Sequence, residues 1–191
     1  MKTCWEPGWK AYLSKSQNPK RKLPYTLELT HNGESFISLN TSATNKIVKE
    51  ALEKGLIKEL KEFDQILPEQ KIFDSRIDFM LKNASEKAFV EVKNVTLKQE
   101  KGVASFPDAV TTRGQKHLRD LIKIKEQGDR AVMLYVINRS DVSRFVVAKQ
   151  IDPTYAKLLK EAEQKGVEIL TYQTKISPQE IIISKKIPYS L

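Results

Sequence analysis

The sequence predicts an α/β layer fold built on a mixed sheet, preceded by a small β-rich part. Three observations carry that expectation. Segments with apolar residues at helical spacing, closed by Gly55, Gly128 and Gly166, alternate with strand-like apolar runs. One of these runs, Arg130 to Asn138 (RAVMLYVIN), is almost wholly apolar, as suits a strand covered on both faces. The first 39 residues differ in kind: they are rich in Pro, Gly, Asn and aromatics and hold only short strand-like pieces. The chain therefore divides into residues 1–39 and 40–191, and 191 residues with 40% apolar content suffice for one full domain and one small one.

In the first part, Lys10 to Leu13, Thr26 to Thr30 and Ser35 to Leu39 read as strands. His31-Asn32-Gly33 joins the last two as a hairpin turn, because Asn and Gly tolerate the positive φ that tight turns require. Between the first two lies a basic loop with Lys20, Arg21 and Lys22, a candidate phosphate-binding loop. Trp5 and Trp9 are expected to fill the small core, and Tyr25 is a candidate for stacking on bases.

Asn40 to Gly55 predicts the first helix, with Thr41, Ser42 and Thr44 as N-cap candidates and Ile47, Val48, Ala51 and Leu52 as its apolar stripe. Glu50 falls on the rim of that stripe beside Ile47, whereas Glu53 points away. Ile57 to Leu67 is expected to form the first strand of the sheet, ending near Pro68 and partly exposed through Glu59, Glu62 and Asp64.

Ser75 to Thr96 reads as two adjacent strands joined by a polar loop at Asn83, Ser85, Glu86 and Lys87. Alternation puts Ile77, Phe79 and Leu81 on one face of the first strand and Arg76, Asp78 and Met80 on the other. The second strand looks central and buried, yet carries Glu91 and Lys93 on one face. Burying a carboxylate and an ammonium is costly unless they are paired, solvated in a cleft or engaged with a metal. With Asp78 on the neighbouring strand they form an acid, acid, lysine cluster.

Lys98 to Asp108 shows no clear period and reads as a long loop beside that cluster. Thr111 to Gln127 is the second helix, buried through Leu118, Leu121 and Ile122, with His117 at the edge of the buried face. Gln115 falls close to the stripe, and Arg113, Lys116 and Arg119 are candidate phosphate ligands. Phe145 to Ala148 is short and irregular; Asp152-Pro153 starts a third helix, Thr154 to Lys165. Val167 to Gln173 is the last main strand, and Ile181 to Pro188 adds an edge.

The excess of 33 basic over 24 acidic residues, a formal charge of +9, favours a polyanionic partner. The single cysteine, Cys4, excludes an intramolecular disulfide framework and reads as a small buried hydrophobe, and His31 and His117 are too few for a zinc site. No run reaches the length of a membrane span and no signal-peptide core precedes Tyr25, so no membrane partner and a cytoplasmic location are expected.

The pattern of Asp78 followed by Glu91-x-Lys93 across two strands resembles the PD-(D/E)xK arrangement of restriction-endonuclease-like folds, without the proline before the aspartate. A wider resemblance runs through NPKRKLPY (Asn18 to Tyr25), SRIDF (Ser75 to Phe79), VEVKNVTL (Val90 to Leu97), FPDAVTTRGQKHLRDL (Phe106 to Leu121) and IDPTYAKLL (Ile151 to Leu159). In that order these segments are similar to the sugar fermentation stimulation protein A family. The resemblance implies an OB-like N-terminal part, partial here, and a restriction-endonuclease-like mixed sheet flanked by helices. Family members carry an upstream segment ending in an Asn-Ser/Thr-Gly-Ser-Met type motif, so Met1 is expected to be a shortened start, with the barrel lacking its first strands.

The resemblance further implies binding of DNA, with RNA not excluded, and the acid, acid, lysine cluster leads to the expectation of a Mg²⁺ (or Mn²⁺) site. In that reading Asp78, Glu91 and Glu50 hold the metal, Lys93 positions or activates its water, and Gln115 orients the lysine or a phosphate. The alternative is a DNA-binding regulator of sugar (maltose) utilisation that uses the same fold without catalysis.

Overall fold

The computed structural model describes residues 3–191, and of Lys101 only the backbone; the expectation about Met1 lies outside the described residues. Three antiparallel strands come first: β1 (Lys10–Lys15), β2 (Tyr25–His31) and β3 (Phe36–Ser38), in sheet order β1-β2-β3. The β2–β3 hairpin turns at Gly33, φ +97°, where Asn32 Oδ1 accepts from the backbone N–H of Glu34 and Ser35. Cys4, Ile37 and Leu39 form a small core with Trp9 against it. Trp5 departs from expectation, being 64% exposed: three strands enclose too little volume for two indoles.

A 3₁₀ turn (Thr41–Ala43) leads into α1 (Thr44–Glu53), so none of the three hydroxyls expected as N-caps acts as one. Ile47, Val48, Ala51 and Leu52 are buried as the stripe predicts. The next segment corrects the expected strand at Ile57 to Leu67. Lys58–Leu60 is a 3₁₀ turn, and β4 (Gln65–Ile72) starts later and runs through Pro68. A proline is tolerated there because β4 is the outermost strand, where one missing N–H interrupts no ladder on the open side.

Strands β5 (Ser75–Lys82), β6 (Lys87–Val95), β9 (Arg130–Ile137), β11 (Glu168–Ile176) and β12 (Ile181–Lys186) complete a six-stranded sheet of order β12-β11-β9-β6-β5-β4. Its centre, β6, β9 and β11, is parallel and its outer pairs are antiparallel. Helices α2 (Thr112–Glu126) and α3 (Pro153–Gln164) cover one face, and α1 the other. Each of α2 and α3 carries a side-chain cap: Thr111 accepts from Gly114 N–H, and Asp152 from Tyr155 N–H.

The expected loop at Lys98 to Asp108 is also corrected. β7 (Leu97–Gln99) and β8 (Val103–Phe106) pair antiparallel, and β8 then pairs parallel with β10 (Arg144–Val147), giving with β13 (Tyr189–Ser190) a second sheet of order β13-β10-β8-β7. These strands are too short to show a period, yet Ala104, Phe145 and Val147 are buried beneath α2 and α3. Among the described residues no helix is long and apolar enough to cross a membrane.

An irregularity in β5 sets the position of Asp78. Ile77 packs into the core under α2, whereas Phe79 and Leu81 pack into the core under α1, so the three do not share a face as alternation predicted. The opposing strand bends too, with Glu69 at φ 52°, and the β5–β6 ladder stops at Phe79↔Val90. Asp78 sits at the break.

Candidate active site

Glu91 and Lys93 project from β6 toward α2. Glu91 is 2% exposed, and its Oε1 accepts from Lys93 Nζ at 2.6 Å and meets Nδ1 of His117. Lys93 Nζ is also 3.3 Å from that imidazole nitrogen, while the lysine side chain keeps 13% of its surface open. Arg113 Nε donates to His117 Nε2 at 3.4 Å, which leaves the ring proton on Nδ1, facing Glu91. Burial pushes the Glu91 carboxyl up, but the His117 hydrogen bond and the Lys93 charge outweigh it and hold it below the ordinary range. The second oxygen, Oε2, is buried with no hydrogen-bond partner among the described residues.

Asp78 stands one position past the last β5–β6 pair. Its Oδ2 accepts from Val92 N–H at 2.8 Å and its Oδ1 from Asn45 Nδ2 at 2.8 Å. Burial, followed by the charge of Glu91, nevertheless pushes its carboxyl above the usual range. Two carboxylates therefore share one place, one ionised and one displaced upward, with a buried oxygen left over.

The structure thus joins Asp78, Glu91 and Lys93, as the sequence anticipated, and adds two residues. His117 and Asn45 each lie on the apolar stripe of their helix, at the spacing of Leu121 and Ile124 in one case and of Val48 and Leu52 in the other. A polar residue in a buried stripe was the signal that could have marked them.

Two expected members are not brought in. Glu50 is exposed, and its carboxylate pairs with Lys54 at 2.5 Å one turn on. Five residues past Asn45, it has rotated away from the sheet. Gln115 Nε2 donates at 3.0 Å to both carboxylate oxygens of Asp152, so it ties α2 to the start of α3 and does not reach Lys93. Of the basic candidates, Lys20, Arg21, Lys22, Arg113, Lys116 and Arg119 are all exposed. Arg113 and Lys116 line a cleft beside His117, and Arg21 donates to Thr26 across its loop.

Among the described residues no three His, Cys, Asp or Glu side chains form a ready-made cation cage. A hard divalent cation still fits the pair. Mg²⁺ is commonly held by one or two carboxylates, with water and substrate phosphate as its other ligands. The unpartnered Glu91 Oε2 and the upward-displaced Asp78 are what such a pair shows when a positive charge would relieve it.

Comparison with known proteins bears on the family and the fold. The model of the "Sugar fermentation stimulation protein RE domain" matches residues 42–180, and that of the "SfsA N-terminal OB domain" matches residues 1–39. The sugar fermentation stimulation protein homolog of Syntrophotalea carbinolica is 46% identical over 188 residues, 98% of this chain and 81% of that protein. Its counterpart in Geotalea uraniireducens is 47% identical with the same coverage. Among solved structures, Pyrococcus furiosus SfsA in complex with Ca²⁺ superposes with a TM-score of 0.87 at 29% identity, over 95% of this chain and 78% of that one.

Proposed function

The chain belongs to the sugar fermentation stimulation protein family, and from that premise we propose that it binds DNA and hydrolyses phosphodiester bonds with a divalent metal. The observation that carries this reading is the carboxylate of Glu91, with one oxygen fixed by Lys93 and His117 and the other buried beside Asp78 with no partner among the described residues. Residues 40–191 form the nuclease-like part and residues 1–39 the OB-like part, acting together in the cytoplasm.

Asp78 and Glu91 hold Mg²⁺ or Mn²⁺, which when bound supplies a water of lowered pKa and neutralises charge on the phosphoryl oxygens. Asn45 and Val92 N–H fix the rotamer of Asp78. His117 and Lys93 fix that of Glu91, so little reorganisation is left for the reaction. The ammonium of Lys93 keeps a donor toward solvent, available to a nonbridging phosphate oxygen as negative charge builds there.

The test is cleavage of labelled single- and double-stranded DNA and RNA with Mg²⁺, Mn²⁺ or EDTA, for wild type, Asp78→Ala and Lys93→Ala. Metal-dependent cutting lost in both variants is expected. DNA binding with no cutting under any metal would overturn the nuclease reading in favour of a non-catalytic regulator of sugar utilisation.

A further inference from the structure

A cleft of about 610 Å³ opens beside the acid pair, lined by Lys71, Asp74, Arg76, Arg113, Lys116 and His117. One wall is the end of the β4–β5 hairpin, which overhangs the sheet because β5 leaves β6 after Phe79↔Val90. The other wall is the first turns of α2. His117 belongs both to this cleft and to the Glu91 contact, so the cleft and the acid pair share a wall.

Two features of the cleft run against local stability. Lys71 and Arg76 are directly opposed across β4 and β5, and like charges in that position repel. Arg113 and Lys116 stand in the first turns of a 15-residue helix that has no acidic residue in its first turn, where the helix dipole disfavours cations. The opposing charges are few: Glu69 pairs with Arg76 at 3.0 Å on the exposed rim, and Asp74 lines the cleft, its carbonyl oxygen accepting from Lys116 Nζ. Four cations from two elements line one space, two of them opposed across the hairpin and Arg113 in the first turn of α2, and a cleft lined in this way suits an anion.

We propose that this cleft is a second phosphate subsite, which holds a phosphodiester of the substrate strand on one side of the bond placed at Asp78 and Glu91. The inference rests on the nucleic-acid reading above and assigns to Lys71 and Arg76, on the hairpin, a role in gripping the strand. Its reach is one strand: the cations line one cleft continuous with one acid pair. Contacts of this kind position a backbone and carry no base specificity.

The experiment is fluorescence anisotropy of a labelled DNA oligonucleotide in EDTA across a salt series, with wild type, Lys71→Ala, Arg76→Ala and the double variant. Both side chains are exposed, and circular dichroism checks that each variant folds. The salt slope is expected to fall by about 1 for each cation removed, with affinity weakened alike for all sequences. Oligonucleotides carrying a single neutral methylphosphonate then locate the contact: one linkage should weaken wild type and leave the double variant unaffected. Unchanged slopes in both single variants, or no linkage with that behaviour, would overturn the subsite. Because no metal is present, the outcome is independent of cleavage. Altered slopes without any nuclease activity would keep the subsite and remove the nuclease, and cutting with unaltered slopes would do the reverse.

Discussion

Lys93 and His117 meet on a single oxygen of Glu91: the ammonium lies 2.6 Å from Oε1, the imidazole Nδ1 contacts the same atom, and Oε2 is buried with no partner among the described residues. The carboxylate is thereby divided into a fixed oxygen and an available one. A lysine two residues along the same strand face can only reach the near oxygen, and a histidine from α2 approaches from the same side. The division comes from the Glu-x-Lys spacing and from which helix covers it.

Lys93→Met keeps the stem and removes the charge. Glu91 then loses one of the two contacts that hold its carboxyl down, and the phosphate loses its donor. Metal-dependent cleavage is expected to fall by a factor of about 10² or more, with oligonucleotide affinity in EDTA nearly unchanged. Single-turnover cleavage beside a binding titration checks this, and an unaltered rate would remove Lys93 from the chemistry.

Asp78 couples stability to pH with a definite sign. Its native carboxyl is raised, so between the ordinary carboxylate pKa and the native value the folded chain holds more protons than the unfolded one. The residue's contribution to stability therefore falls as pH rises through that window. The unfolding midpoint of Asp78→Asn in EDTA, taken relative to wild type, is expected to rise from about pH 4 toward about pH 7, on top of a pH-independent loss because one amide oxygen cannot accept from both Val92 N–H and Asn45. The rise in midpoint that Mg²⁺ gives wild type should be absent in the variant. Thermal scans with and without Mg²⁺ measure both effects, and a difference from wild type that stays constant or moves the other way with pH would contradict the argument.

Much of the site was legible in the sequence for a local reason. Asp78, Glu91 and Lys93 lie on adjacent strands of one hairpin, so alternation and one turn suffice to bring them together. The stripes of α1 and α2, the Gly33 turn and the Asp152 cap are likewise set within a few residues. What was missed depends on contacts outside the single helix face or strand from which each residue was read. β8 and β10 find each other across the fold, β7 pairs only with the neighbouring β8, and their lengths of three and four residues hold no period. Ile77 changes face because β4 and β5 bend together, which no single-strand alternation can show. Gln115 and Glu50 were read from their helix faces alone. Their partners, Asp152 at the start of α3 and Lys54 at α1's own end, decided where they point.

Asn45 and Glu50 separate the two accounts of α1. Asn45→Ala removes a hydrogen bond from Asp78 and leaves its carboxyl still more easily protonated, so the acid limb of the cleavage profile is expected to move to higher pH. Glu50→Ala, which only frees an exposed lysine, should leave the rate and its pH profile as they are. Cleavage rates from about pH 5 to 9 decide it; a rate loss in Glu50→Ala would restore that residue to the site.

Arg139 is a buried charge away from the acid pair. It is 1% exposed, held by Asp141 through Nε at 2.6 Å and Nη2 at 2.8 Å, and it donates to the carbonyl oxygens of Thr96 and Thr3. Lys98 adds a second cation to Asp141 at 2.8 Å. Burial alone would push Asp141 up, but the arginine and the lysine overcome it and lower its carboxyl to about 2. A depressed native value means the contribution is complete above the unfolded value near 4 and is lost as pH falls toward about 2. Asp141→Asn should therefore cost on the order of 2 kcal/mol near neutrality, and the difference from wild type should close over that acid range. Urea unfolding at a series of pH values measures it. A constant difference at every pH would mean that packing, and not charge, joins Arg139 to the segment around Thr3.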